Sequence, residues 1–341
     1  MKILGLTPSN QKTVETPEEM HLRKLRDLGH EVIIADHADT VDEDVDVIVA
    51  LSEVTCNNAF VLAKRYNKPF YAHMEWIPYW RIGVEPESKW GFDDFKFPFK
   101  TKMNFIRLYQ RYSFYWSMAN VKTLAAKTFN KSMIEFLGVD TPIHTKYLGV
   151  DKEKILQHVE DNPVVIKDYN SIACVARFVP HKRIHHIIEA LTLIKFKGIL
   201  NLVGYGEEKE HYEFFDTEFE IKYWDSKDRF KVMDTSKLTV ALWSGMVPAE
   251  SCYLGTPALT YDSPYMKELY GDTIEYAENN NIKQLAKKIN DALKRKYDDD
   301  SDLCEKTVNA IEDGKINTLT QEKAVKLLES LIIEATKVHQ K

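Results

Sequence analysis

No stretch of this chain approaches the roughly 20 consecutive apolar residues that a membrane-spanning helix needs. Cysteine is scarce as well. The four present, Cys56, Cys174, Cys252 and Cys304, lie far apart with no Cys-x-x-Cys or Cys/His spacing. That pattern speaks against a disulfide framework and a zinc site, and fits a reducing, cytoplasmic compartment. An excess of basic charge is also missing. Lys and Arg total 46 against 52 Asp and Glu, a net charge of −6, so no global field draws the chain to nucleic acid. The opening MKILGLTPSN is too short in its apolar part for a signal peptide and reads as a first strand.

What is present is the composition of a globular protein, 44% hydrophobic and 29% charged over 341 residues, enough for about two cores. Short β-branched runs alternate with amphipathic helical patterns almost throughout. In the first half they predict strands at 2–6, 31–35, 45–50, 69–72, 121–125 and 144–148. In the second half the strands are 171–176, 199–203, 220–224, 238–242, 258–261 and 274–276. Between the first two, 17–28 reads as a helix, and 184–194 places Ile184, Ile187, Ile188 and Leu191 on one helical face. Alternation of this kind predicts an α/β fold of parallel sheets wrapped by helices. It occurs twice, around a polar break near 151–170. The reading is two Rossmann-like domains, 1–155 and 156–319, with sheets facing an interdomain cleft. A tail helix at 320–341 packs back across one or both.

The most informative run is Trp243 to Tyr265. It follows a buried strand with a small-residue turn, a helix, a Gly-Thr-Pro turn and a further strand. The turn at Ser244, Gly245, Met246 and Val247 precedes a helix N-terminus, where backbone N–H groups favour anions. Glu250, inside the first turns of that helix, supplies a carboxylate for sugar hydroxyls. Phosphate on one side and a diol on the other describe a nucleotide-sugar site.

Other constellations stand at strand ends. Arg177 and Lys182 are cations five residues apart that suit a diphosphate, the Arg as a planar fork and the Lys as a point charge. A solvated basic loop with His181 and Arg183 is the plainer alternative. Gly204-Tyr-Gly206 ends a strand with a turn whose backbone could approach a ligand closely, although an ordinary strand-to-helix turn explains it equally well. Tyr223 could edge a nucleobase or belong to a core. His73 and Glu75 end a first-half strand. The stretch 90–116 interleaves eleven aromatic residues with Lys96, Lys100, Lys102, Arg107 and Arg111. It fits either an interfacial membrane or acceptor surface, or an aromatic helix packed in a core.

With these residues in place, the chain resembles the retaining GT-B glycosyltransferases of the large family-four group. The resemblance rests on the stretch from Ala119 to Asp151, on Arg177 and Lys182 as an Arg-x4-Lys clamp, on Gly204-Tyr-Gly206, and on the block from Gly245 through Glu250, Gly255-Thr-Pro257 and Glu268. It implies that Glu250 binds the donor ribose and that amides of the preceding turn hold phosphate and sugar. It also places His73 near the reacting sugar. No metal or cofactor is implied, since cations and amides take the diphosphate charge. Two positions depart from the family pattern. Leu242 stands where the family has a first glutamate, and the first loop reads Thr7-Pro8-Ser9-Asn10-Gln11 rather than glycine-rich.

The implied function is transfer of a sugar from a nucleotide diphosphate to an acceptor hydroxyl, with retention and without a metal. His73, Arg177 and Lys182 would be the catalytic residues. Gly204, Gly206, Tyr223, Ser244 to Val247 and Glu250 would bind the donor. The expected partners are a nucleotide sugar and a glycan or lipid-linked acceptor, with peripheral membrane contact through 90–116 and no nucleic acid. The departures motivate one alternative, a GT-B-shaped protein that binds a nucleotide or glycan without catalysis. A nucleotide-sugar epimerase is another.

Overall fold

A computed structural model of the chain describes residues 1–7, 17–36, 44–74, 107, 110–127, 143–147, 149–163, 166–179, 182–206 and 208–340. Most of the aromatic and basic stretch 90–116 lies outside these residues, as do the first loop after Thr7, Glu75 and His181. The chain divides into two compact units. Among the described residues, the first takes those up to 149 and from 321 on, and the second takes those of 150–320.

The first unit is built on a six-stranded parallel sheet of β1 (Lys2–Thr7), β2 (Glu31–Asp36), β3 (Val47–Ala50), β4 (Phe70–Met74), β5 (Val121–Leu124) and β6 (His144–Thr145). Its order is β2-β1-β3-β4-β5-β6. Strands β3 and β4 are buried along their whole length, which is why they read as continuous apolar runs rather than alternating ones. Helices α1 (Pro17–Lys24) and α2 (Cys56–Tyr66) belong to this unit. The helix sequence expected to run to residue 28 ends at Lys24, and turns continue to Gly29. At the described end of the aromatic stretch, Trp116 is fully buried and its Nε1 donates to the Thr123 carbonyl at 3.1 Å.

The second unit carries its own six-stranded parallel sheet. Its strands are β7 (Asp168–Val175), β8 (Ile199–Val203), β9 (Glu220–Trp224), β10 (Ser236–Val240), β11 (Ala258–Asp262) and β12 (Glu275–Glu278), in the order β9-β8-β7-β10-β11-β12. This is the 3-2-1-4-5-6 order of a Rossmann domain, whose chain reverses direction across the sheet between its first and fourth strands. That switch point lies between β7 and β10. The sequence reads 151–170 as a polar break, but α3 (Lys152–Asp161) occupies half of it, with Asp151 Oδ1 accepting from the Lys154 N–H at 3.1 Å. Ile155 is the helix's only fully buried residue, so no apolar stripe announces it.

The remaining helices of this unit are α4 (Ile184–Leu193), α5 (Lys209–Glu213), α6 (Arg229–Thr235), α7 (Val247–Tyr253), α8 (Pro264–Tyr270), α9 (Ile282–Lys294) and α10 (Tyr297–Glu312). Ile184, Ile187, Ile188 and Leu191 of α4 join Leu200, Leu238, Leu259 and Leu285 in one core. The last helix, α11 (Gln321–His339), buries Val325, Leu328, Leu331, Ile332 and Ala335 with Ile3, Leu22, Val47 and Tyr71. Its apolar face is therefore part of the first unit's core. Among the described residues, no helix is long and apolar enough to cross a membrane.

Candidate functional site

Strand β7 delivers Ala176 and Arg177 just past its carboxyl end, and the chain reaches Lys182 before α4 begins. Arg183, which precedes α4, is buried and adopts a left-handed backbone (φ 55°). Lys182 Nζ donates to the main-chain oxygen of Trp243, in the turn after β10.

The Gly-x-Gly turn after β8 serves this same loop. Gly204 and Gly206 have φ of +143° and +152°, and an added Cβ would lie 2.0 Å from the Ala176 oxygen or 2.3 Å from the Phe178 oxygen. The sequence leaves their bare backbones two readings, approach to a ligand or an ordinary strand-to-helix turn, and Gly204 does line the pocket described below. What they approach is the backbone on either side of Arg177. The Phe178 N–H donates to the Tyr205 oxygen at 2.7 Å, and the Glu208 N–H to the Phe178 oxygen at 3.1 Å. The glycines thus fix the main chain that carries Arg177.

Beyond β10, the strand expected to run to Leu242 stops at Val240. Leu242 is 2% exposed and belongs to the core of the second unit, so the side chain that departs from the family pattern is a packing residue here. Trp243 then takes a left-handed backbone (φ 68°). Tyr270 pins the turn that follows, its hydroxyl donating to the Gly245 oxygen at 2.5 Å and accepting from the Ala249 N–H at 3.2 Å. Pro248 has no N–H and that of Ala249 is taken, which limits the helix-start amides to those before Pro248. Met246 sits at the N-cap position, and its oxygen accepts from the Glu250 N–H at 3.1 Å.

These segments converge on a pocket of about 240 Å3 at the carboxyl ends of β7 and β8, at the switch point of the sheet. Arg177, Lys182, Gly204, Ser244 and Val247 line it, all singled out from the sequence. Ser226 and Arg229, which were not, line it as well. Arg229 opens α6 with its guanidinium 4.2 Å from the centre of the Phe230 ring, and its Nε lies 3.6 Å from Glu250 Oε1. Burial pushes the Glu250 carboxyl above the usual carboxylate range, and Arg229 opposes that rise. Three cations in its wall give this pocket a positive local field.

Gly206, Gly245 and Met246 support the surrounding turns rather than lining the pocket. Tyr223 is not at the pocket either. It packs edge-to-face on Phe178 at 6.2 Å with Lys209 Nζ 5.1 Å over its ring, against the core. Burial raises its hydroxyl to about 12. This places it with the core aromatics, the alternative to a nucleobase edge.

His73 lies in the first unit, at the end of β4, and is fully buried. Its Nδ1 is 2.9 Å from Thr123 Oγ1, and its Nε2 has no hydrogen-bond partner among the described residues. Burial, then the nearby Lys146 and His21, push its pKa well below the ordinary histidine value, so the ring is neutral. Among the described residues, no three His, Cys, Asp or Glu side chains stand where they could share a metal ion.

Residues 159–314 match the family model described as Glycosyl transferases group 1. No curated protein matches the chain. Among solved structures, it is similar to Anabaena Alr3699/HepE in complex with UDP and glucose, with a TM-score of 0.67 at 14% identity over 97% of this chain and 98% of that one. A glycosyltransferase from Rickettsia africae ESF-5 is similar with a TM-score of 0.65 at 16% identity over 98% of each chain. An α-glucosyltransferase in complex with UDP-glucose and DNA containing an abasic site gives 0.63 at 11% identity over 98% and 99%. The chain shares the α/β fold of these GT-B structures, with two parallel sheets.

Proposed function

We propose that the chain is a glycosyltransferase whose second unit binds the diphosphate of a nucleotide sugar. The observation that carries this reading is the pocket at the sheet switch point, lined by the cations Arg177 and Lys182, with the Arg229–Glu250 pair at its wall. Its roughly 240 Å3 falls below the ~300–1,000 Å3 of sites that enclose a whole drug-sized ligand. It suits the diphosphate and ribose portion of a donor. The match to Glycosyl transferases group 1 over the second unit supports the same reading. Two of the similar structures hold UDP or UDP-glucose, which makes UDP the first probe.

In this reading Arg177 and Lys182 stabilise the departing diphosphate, where negative charge grows in the transition state. Amides from Ser244 to Val247 hold phosphate and sugar, and Glu250 accepts from the ribose hydroxyls. His73 keeps the catalytic assignment that the sequence resemblance gives it. Retention, metal independence, a hexosyl donor and a glycan or lipid-linked acceptor near a membrane come from that resemblance and from the composition of 90–116.

The test is release of nucleoside diphosphate from a panel of nucleotide sugars with glycan and lipid-linked acceptors, in EDTA. Turnover is expected to survive EDTA and to fall at least about a hundredfold in Arg177→Ala and Lys182→Ala. NMR of the product gives the anomeric outcome. Activity within a few-fold of the unaltered chain in both variants would remove the clamp from the mechanism. Nucleotide binding without turnover on any acceptor would favour the non-catalytic alternative.

A further inference from the structure

Arg229 and Glu250 stand 21 positions apart in the chain and meet beside the pocket. A carboxylate that is to accept hydrogen bonds from neutral hydroxyls must be charged and correctly turned. Burial works against the charge, and the Glu250 side chain is only 13% exposed. The compensating cation is itself held. The Arg229 guanidinium has the Phe230 ring against its face and Glu250 Oε1 at its Nε, so it is not a freely swinging surface charge. Among the described residues, the other charged groups acting on Glu250 are Asp151 and Lys154, at the start of α3.

We infer that Arg229 is a positioning residue of the nucleotide site. Through its Nε contact it holds the Glu250 carboxyl oriented toward a vicinal diol, so that the preference for ribose over deoxyribose depends on this pair. The inference rests on the nucleotide-binding reading above, because it assigns the sugar end of that same ligand.

The experiment is calorimetry on the full chain with UDP and 2′-deoxy-UDP, repeated with GDP and 2′-deoxy-GDP. The unaltered chain is expected to bind the ribonucleotide about tenfold or more tightly than its deoxy partner, the scale of hydrogen bonds to a charged acceptor. In Arg229→Gln that ratio should shrink to within about threefold, and Arg229→Lys should restore part of it. Glu250→Gln should lose the ratio as well, and the double variant should lose no more than either single one. A pH series supplies a readout that a purely structural role would not move. The ammonium of Arg229→Lys lacks the fixed guanidinium contact to Glu250, so this variant should lose its remaining ribose preference at higher pH than the unaltered chain. An unchanged ratio in Arg229→Gln overturns the inference. So does equal weakening of both nucleotides, which would make Arg229 a phosphate contact. Failure of every nucleotide to bind the unaltered chain overturns the nucleotide reading itself, whereas the other two outcomes leave that reading standing.

Discussion

Lys182 donates a hydrogen bond to the main-chain oxygen of Trp243, tying the approach to α4 to the turn after β10. Both ends of this contact adjoin unusual backbone: Arg183 at φ 55° and Trp243 at φ 68°. Left-handed backbone at residues of this size costs on the order of 1–3 kcal/mol each, and it persists here where two loops meet around the pocket. An ammonium group has three donors. The Trp243 oxygen takes one of the three on Lys182.

The first prediction concerns that ammonium. Lys182→Ala should weaken UDP binding by about tenfold to a hundredfold, as expected for loss of a charge-assisted contact of ~1.5–3 kcal/mol. It should also reduce the salt dependence of binding. Calorimetry at two ionic strengths checks both, and affinity within twofold of the unaltered chain would sink the idea.

Gly204 and Gly255 make a contrasting pair. At Gly255 (φ +67°) nothing lies within 4 Å of an added Cβ, whereas at Gly204 the Ala176 oxygen lies 2.0 Å away. Gly255→Ala should cost about 1–2 kcal/mol from backbone conformation alone. Gly204→Ala should cost clearly more, because backbone must move, and it should weaken UDP binding by displacing Arg177. Urea unfolding of the two variants gives the comparison. Equal stabilities would contradict the role assigned to the turn.

Leu242→Glu would restore the residue type of the family pattern. It should not restore sugar binding, because the side chain sits in the core. A buried, uncompensated carboxylate costs on the order of 3–5 kcal/mol, so the expected result is a lower Tm and no gain in donor affinity. A variant with normal Tm and tighter binding of a nucleotide sugar would show that this position faces the ligand.

His21 and His73 make the stability of the chain depend on pH. Burial depresses both pKa values, with Lys146 adding to each and His21 adding to that of His73. The unfolded chain, with histidines near 6.5, then binds more protons than the folded one. Stability is full above about pH 6.5 and is lost as the pH falls. Denaturant midpoints between about pH 7.5 and 5.5 should drop in the unaltered chain and flatten in His21→Gln/His73→Gln. An identical slope in the double variant would mean that other groups set it.

Much of the fold is legible along the chain. A continuous apolar run places the buried Ile199–Val203 as it occurs, and a half-buried alternating run places the edge strand Glu220–Trp224. Arg177, Lys182, Gly204, Ser244 and Val247 were legible as pocket residues for a related reason. Ligands of parallel sheets gather at strand ends, and strand ends can be read from where apolar runs stop. The α3 helix was not legible because a single buried residue leaves no periodicity.

The sequence by itself therefore determined two parallel-sheet units and the loops that could hold an anion. Only the tertiary structure decided which side chains of those loops share a pocket. The Arg229–Glu250 pair arises because β9 and β10 are neighbours in sequence but are separated in the sheet by β8 and β7, an order that no local pattern records. The inward face of Leu242, the packing of Gly204 and Gly206 on the backbone around Arg177, and the burial of α11 in the first unit's core have the same origin. Each depends on contacts between residues far apart in the chain. Local propensity and periodicity act over a few residues, and sheet order sets what lies beyond them.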